Sequence, residues 1–268
     1  MRHVIHPKDL RKLLCDTKSK ANVVIVDTRP FSDYIQGHIP GAVNLDLMQF
    51  HWMDTSTEGI KQFTKQMNLL ISYLGVVKDK LIVFYDHISG PSAARGVWLL
   101  LYFSHKKAAL LDGGFLGWCN ICGSIETKSN ALTHCKFTNQ PNMKILADYR
   151  TVRSAIKRQN SVTIIDTRSE SEYTGSVVRA ARAGHIPLAL NIDWKNNIES
   201  DGSFKDDLKL RTIYSAIKKN DEIIVYCQGG YRAANTFVVL KAMGYKYVRM
   251  YLGSWGEWGN RLDLPIAG

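Results

Sequence analysis

Residues 223–235 read Ile223-Ile224-Val225-Tyr226-Cys227-Gln228-Gly229-Gly230-Tyr231-Arg232-Ala233-Ala234-Asn235, and this order decides the fold. The run up to the cysteine is apolar without alternation and β-branched at its start, the pattern of a strand buried on both faces of a parallel sheet. A helical pattern, Ala233 to Met243, follows within a few residues. Cys227 is therefore expected at the carboxyl end of a central strand, where open α/β sheets place their ligand crevices.

The connecting loop has its own chemistry. Gly229 and Gly230 allow a tight curl with positive φ. A curled backbone turns its N–H groups inward and forms an anion-binding nest. The helix beginning near Arg232 adds its N-terminal partial positive charge. A cysteine in such a site is favoured as thiolate. It would act as a nucleophile whose product anion is held by main-chain donors. Four residues, Gln228 to Tyr231, separate Cys227 from Arg232. A phosphate-cradling loop of this style has five, so the smaller ring suits a single sulfur atom better than a tetrahedral phosphate. A buried structural cysteine before a Gly-Gly turn, and a Cys/Arg phosphatase, stand as the alternatives.

The 268 residues suffice for two domains of ordinary size. The 45% hydrophobic and 22% charged content is that of a soluble globular protein. No apolar run approaches the ~18–20 residues that span a membrane. The N-terminus, Met1-Arg2-His3-Val4-Ile5-His6-Pro7, has no apolar leader core and runs into a short strand and a helical pattern over Lys8 to Leu14. A cytoplasmic protein is expected. Five cysteines without framework spacing read as reduced thiols. The net charge of +11 favours anionic small substrates. The basic residues are scattered and no nucleic-acid motif is present, so neither a nucleic acid nor a membrane is expected as a partner.

Four co-linear matches mark an internal duplication. Val23-Val24-Ile25-Val26-Asp27-Thr28-Arg29 returns as Val162-Thr163-Ile164-Ile165-Asp166-Thr167-Arg168. Gly37-His38-Ile39-Pro40 returns as Gly184-His185-Ile186-Pro187, with an insertion, Ser176 to Ala183, ahead of it in the second copy. Ile82-Val83-Phe84-Tyr85-Asp86 matches Ile223-Ile224-Val225-Tyr226-Cys227, and Leu111 to Trp118 matches Tyr251 to Trp258. In the first copy, strands are predicted near 23–27, 42–44, 81–85 and 108–111, and helices near 8–14, 30–36, 60–74 and 91–104. The second copy repeats this, with helices near 148–158, 169–174, 205–219 and 232–243. Strand–helix alternation implies α/β architecture: two tandem domains, each a parallel sheet with helices on both faces. The domains are expected at 1–123 and 143–268, joined by the polar stretch 124–142 as a linker.

These motifs resemble those of two-domain rhodaneses. Cys227-Gln228-Gly229-Gly230-Tyr231-Arg232 is similar to that family's Cys-x-x-Gly-x-Arg active loop. Tyr34-Ile35-Gln36-Gly37-His38-Ile39-Pro40-Gly41-Ala42 is similar to its N-terminal hallmark, and Gly253-Ser254-Trp255-Gly256-Glu257-Trp258 to its C-terminal one. The resemblance covers essentially the whole chain. It implies a sulfurtransferase that moves sulfane sulfur from thiosulfate, or alternatively 3-mercaptopyruvate, through a Cys227 persulfide. Main-chain N–H groups from Gln228 to Ala233 would hold the terminal sulfur, and Arg232 would support the loop or attract the donor. Cyanide, a small thiol or a protein thiol of thioredoxin type would be the acceptor. Neither metal nor organic cofactor is implied. Asp86 stands where the second copy has Cys227, and a carboxylate cannot carry sulfane sulfur, so the first domain is expected to be catalytically silent. A non-catalytic sulfur carrier remains a further alternative.

One departure from the family pattern stands out. Many two-domain thiosulfate enzymes carry an Arg just before the aromatic residue where this chain has Glu172 before Tyr173. The anion-binding role could then pass to Arg179 or Arg182 in the insertion. Asp27, Arg29, Asp166 and Arg168 are expected to form buried structural pairs, His38 and His185 to satisfy backbone groups, and Trp255 and Trp258 to pack the core. Cys15 is expected as a small core residue. Cys119 and Cys122 superficially resemble a redox or, with His134 and Cys135, a zinc motif, but lack the context for either.

Overall fold

The computed structural model describes residues 3–76, 79–158 and 161–268. Two parallel five-stranded sheets form. The first holds β1 (Val4–Ile5), β2 (Val23–Asp27), β3 (Val43–Asn44), β4 (Leu81–Tyr85) and β5 (Ala108–Leu111) in the order β1-β5-β4-β2-β3. The second holds β6 (Leu146–Ala147), β7 (Val162–Asp166), β8 (Ala189–Asn191), β9 (Glu222–Tyr226) and β10 (Tyr247–Tyr251) in the order β6-β10-β9-β7-β8. The identical order is the three-dimensional counterpart of the duplication, and every pairing is parallel. Helices connect the strands, as sequential parallel strands require. Among the described residues no helix is long and apolar enough to cross a membrane.

The chain divides into two compact units, and each borrows a piece of sequence from the other repeat. The first comprises 1–50, 64–141 and 198–205, and the second 51–63, 142–197 and 206–268. The stretch 124–141 belongs to the first unit. It has no helix or strand beyond a single bridge between Glu126 and His38. It is anchored there by the Asn130 side chain, which donates to Ala42 O, and by buried Phe137.

Most predicted elements appear within a few residues of their expected bounds. The helix expected over 205–219 is shorter, Asp207–Ile213. Tyr214 and Ile217 both turn into the core, and a series of tight turns places them there. The Tyr214 hydroxyl also donates to Asn197 Oδ1 at 2.7 Å. Cys15, expected in the core, is exposed at the end of the helix Pro7–Cys15. In its last turn Leu14 packs on the core cluster around Leu10, while Cys15, one residue on, falls on the solvent side.

The recurring Asp-Thr-Arg triplets are structural, as expected. In the second unit, Arg168 Nε and Nη2 clamp the Asp166 carboxylate at 3.0 and 2.6 Å, and Nη2 also donates to Gly184 O. Arg29, Asp27 and Gly37 O repeat this geometry in the first unit. Each pair fixes the chain leaving its strand to the Gly-His-Ile-Pro turn. The turn histidines then donate from Nδ1 to backbone carbonyls, His38 to Tyr34 O and His185 to Tyr173 O, and each stacks on that tyrosine's ring. Trp255 and Trp258 lie in the second unit's core.

Removing one partner of a fully buried pair leaves an uncompensated charge, at a cost of ~3–5 kcal/mol. Asp166→Asn should therefore lower stability by about that amount in urea unfolding, with activity lost only as the folded fraction falls.

Candidate functional site

Strand β9 is flanked on both sides by β7 and β10 and ends at Tyr226, so Cys227 emerges at the carboxyl edge of the middle strand of its sheet. The next helix is Tyr231–Ala242. Its small residues Ala233 and Ala234 are fully buried and let it approach the sheet closely. Cys227 is only 1% exposed, yet its sulfur faces the loop, where Sγ accepts from Gly230 N–H at 3.1 Å.

The loop is held in shape from outside. Trp255 N–H donates to Cys227 O, and Gly256 N–H to Gln228 O, both at 2.8 Å. In a trans peptide the N–H points opposite to the C=O. Tying these two carbonyls to the 254–258 helix therefore aims the Gln228 and Gly229 N–H groups the other way. Ser254 completes the clamp. Its hydroxyl accepts from Cys227 N–H at 3.2 Å and donates to Tyr251 O at 2.9 Å. It does so from the left-handed region, at φ 53°, a conformation that costs a non-glycine residue about 1 kcal/mol or more. The sequence hallmark Gly253-Ser254-Trp255 thus works as a backbone clamp, a role the motif alone did not reveal.

The two loop glycines serve different needs. Gly230 takes φ 88° and caps the following helix. Gly229, which was expected to curl likewise, is absent from the positive-φ residues and instead makes room for a neighbour: a Cβ there would sit 2.6 Å from His51 Cδ2, and the ring would have to shift. The His51 ring lies 4.8 Å from that of Tyr231. His51 belongs to the 51–63 segment of the second unit and went unnoticed in sequence, because nothing local marks a distant residue as a loop neighbour.

Arg232 is bound rather than solvated. Its Nη1 and Nη2 meet Glu172 Oε2 and Oε1 at 2.5 and 2.9 Å, a bidentate pair. Glu172 is 3% exposed and is also part of a capping box with Ser169. Burial pushes the Glu172 carboxyl up, but the hydrogen bond and charge of Arg232 outweigh it, and its pKa falls to about 2. Arg232 loses some basicity to burial and regains more from Glu172 and from the charge of Cys227, so its pKa is raised. The position that departs from the family pattern is therefore the anchor of the loop's own arginine.

The insertion 176–183 reaches the loop. Gln228 Nε2 donates to Arg179 O at 2.9 Å, and Arg179 Nε lies 3.6 Å from Glu172 Oε1 while the side chain stays 60% exposed. Arg182 does not fit the anion-binding role suggested for it. Its guanidinium donates to the carbonyls of Trp258, Gly259, Arg261 and Leu264, and pins the C-terminal segment. Four backbone acceptors leave it structural.

The first unit has the same clamp around a different residue. Phe115 N–H donates to Asp86 O and Leu116 N–H to His87 O. Here the Asp86 carboxylate itself accepts from His87 N–H at 2.7 Å and Ser92 N–H at 3.1 Å. The nest is filled by its own side chain, and burial raises that carboxyl's pKa. The Cys119/Cys122 pair lies at and beyond the end of the helix Gly114–Asn120, where burial also raises the Cys119 thiol.

Comparison with known proteins agrees with this geometry. The model of the rhodanese-like domain matches residues 6–121 and again 149–261. The chain belongs to the rhodanese-like family. Thiosulfate sulfurtransferase of Azotobacter vinelandii is 30% identical, with 98% of this chain and 96% of that protein covered. The sulfur carrier protein TtuD of Thermus thermophilus is 32% identical, with 87% and 86% covered. The crystal structure of SseA from Escherichia coli, described among 3-mercaptopyruvate sulfotransferases, superposes with a TM-score of 0.78 at 27% identity, covering 95% of this chain and 99% of that one. The tandem rhodanese fold expected from the motifs is thus the fold observed.

The depressed carboxyl has a signed consequence. A carboxylate whose pKa falls from 4.5 to about 2 on folding contributes stability that is complete above about pH 4.5 and is lost as pH falls toward 2. Glu172→Gln should be less stable than the parent at pH 7, and the gap should narrow below about pH 4.5 in urea titrations. A gap that does not depend on pH would contradict the pairing.

Proposed function

We propose that this rhodanese-like protein is a sulfurtransferase whose nucleophile is Cys227. The observation that carries the reading is a cysteine at the strand tip, its sulfur turned toward the Gly230 N–H inside a loop whose carbonyls are tied away from it. The thiolate attacks the outer sulfur of thiosulfate. The new Sγ–S bond forms as the S–S bond to the sulfonate breaks, and sulfite leaves with the bonding pair. The persulfide carries one negative charge and sulfite two, matching the thiolate and the dianionic donor. The N–H groups of Gln228, Gly229, Gly230, Tyr231, Arg232 and Ala233 form the electropositive surround for the terminal sulfur, and electrostatic stabilisation of this kind costs no reorganisation during reaction. A thiophilic acceptor, whether cyanide, a small thiol or a protein thiol of thioredoxin type, then takes the sulfur. Two half-reactions through one covalent intermediate give ping-pong kinetics.

Asp86 occupies the equivalent position in the first domain, its nest already filled by its own carboxylate, so that domain, taken as 1–123, takes no part in the transfer. The catalytic domain is 143–268, with 124–142 as the connecting stretch. The likeness to SseA supports 3-mercaptopyruvate as the second donor to test.

Incubation with thiosulfate should add one sulfur, ~32 Da, to the intact protein, and the adduct should be absent from Cys227→Ser. An adduct that survives that substitution would overturn the assignment of the nucleophile. kcat/KM measured with thiosulfate and with 3-mercaptopyruvate identifies the donor.

A further inference from the structure

Three charged side chains meet beside the loop: Arg232 and Arg179 on either side of the Glu172 carboxylate. Glu172 is 4% exposed at its side chain, Arg232 20% and Arg179 60%. The buried carboxylate thus takes up the half-buried cation in a two-point grip, while the exposed cation only leans on it from 3.6 Å. Arg179 is also fixed through its backbone, whose carbonyl accepts from Gln228 of the active loop. The inserted segment carrying it is secured further by Ala181 N–H on Asn260 Oδ1. The backbone that carries the solvent-facing cation is therefore anchored to the loop and to the C-terminal segment.

We propose that Glu172 is a positioning residue that sets the charge of donor this enzyme accepts: it holds Arg232 for the loop and cancels its charge, leaving Arg179 as the cation an incoming anionic donor meets. The inference rests on the sulfurtransferase reading and deepens it. A dianion such as thiosulfate approaches a site that must also hold a thiolate, so each unit of charge in the trio counts twice as strongly for it as for a monoanionic donor. A partly exposed charge is screened, and its effect is correspondingly modest. Without the carboxylate, Arg232 regains its charge toward the donor and loses its fixed orientation. Dianion binding then strengthens while turnover of the persulfide slows.

The test compares thiosulfate with the monoanion methanethiosulfonate as donors for the full chain, its Glu172→Gln, Arg179→Ala and Arg179→Lys forms. The readouts are separate kcat and KM values and the persulfide adduct by intact mass. In Glu172→Gln the KM for thiosulfate should fall and kcat decrease, so that the KM ratio shifts toward thiosulfate by about fivefold, the effect of one partly screened charge. Arg179→Ala should shift the ratio about fivefold the other way, and Arg179→Lys should restore it. A purely structural role would scale both donors equally. Ratios unchanged in both Glu172→Gln and Arg179→Ala, with the adduct still forming, would overturn this inference and leave the persulfide chemistry standing. Absence of any adduct in the unsubstituted protein would overturn the parent reading instead. Should Glu172→Gln fail to fold, the Arg179 pair decides alone, and an unmoved ratio there overturns the inference.

Discussion

Two backbone hydrogen bonds, Trp255 N–H to Cys227 O and Gly256 N–H to Gln228 O, govern the site. Each is worth only about 1 kcal/mol net. Their importance is directional: they fix two peptide planes of the loop, so that the Gln228 and Gly229 N–H groups point away from the 254–258 helix. Everything else at the site presupposes that orientation. Ser254 accepts a left-handed conformation to complete the clamp, and Gly230 supplies the matching positive φ at the start of the helix. The same pair of ties exists around Asp86, so the clamp is a property of the fold, and the residue at the strand tip determines what the clamp is for. With aspartate, the loop's donors are spent on a carboxylate built into the chain. With cysteine, the Gly230 N–H meets the thiol sulfur instead, and no carboxylate of the chain fills the loop.

Charge is managed separately from geometry. A helix N-terminus already carries partial positive charge, and a cation there needs an anion to meet. Glu172 provides it for Arg232, held by a capping box that belongs to a different helix. Burial alone would raise the acid's pKa, and the hydrogen bond and charge of Arg232 overcome it, so the carboxyl stays ionised to about pH 2. A buried pair of this kind favours one arrangement over many rather than adding much stability. Fixed orientation is what a nucleophile's neighbour requires.

Much of this was legible in the amino-acid order. The unalternating run Ile223 to Tyr226 announced a doubly covered strand, and the four matched segments announced two copies of one sheet. The Asp-Thr-Arg triplets were recognisable as buried pairs because both members recur together at strand ends. Other features were not legible, for a common reason: they depend on residues far apart in the chain. Glu172 is sixty residues from Arg232 in sequence, and without coordinates it read as a missing arginine rather than a partner. Arg182 looked available because nothing in its neighbourhood shows that four carbonyls of the C-terminal segment converge on it. His51 lies in a segment grouped with the second unit although its sequence falls in the first repeat. Cys15 was misplaced for a local reason: Leu10 and Leu14 carry the helix's core face, and Cys15 falls one position past it.

The most direct test of the account is a crystal structure of the protein after exposure to thiosulfate. The account predicts electron density for one additional atom bonded to Cys227 Sγ, lying within hydrogen-bond distance of the loop N–H groups between Gln228 and Ala233. An unmodified Cys227 in protein that carries a sulfur adduct elsewhere, or an added atom pointing away from those amides, would contradict it.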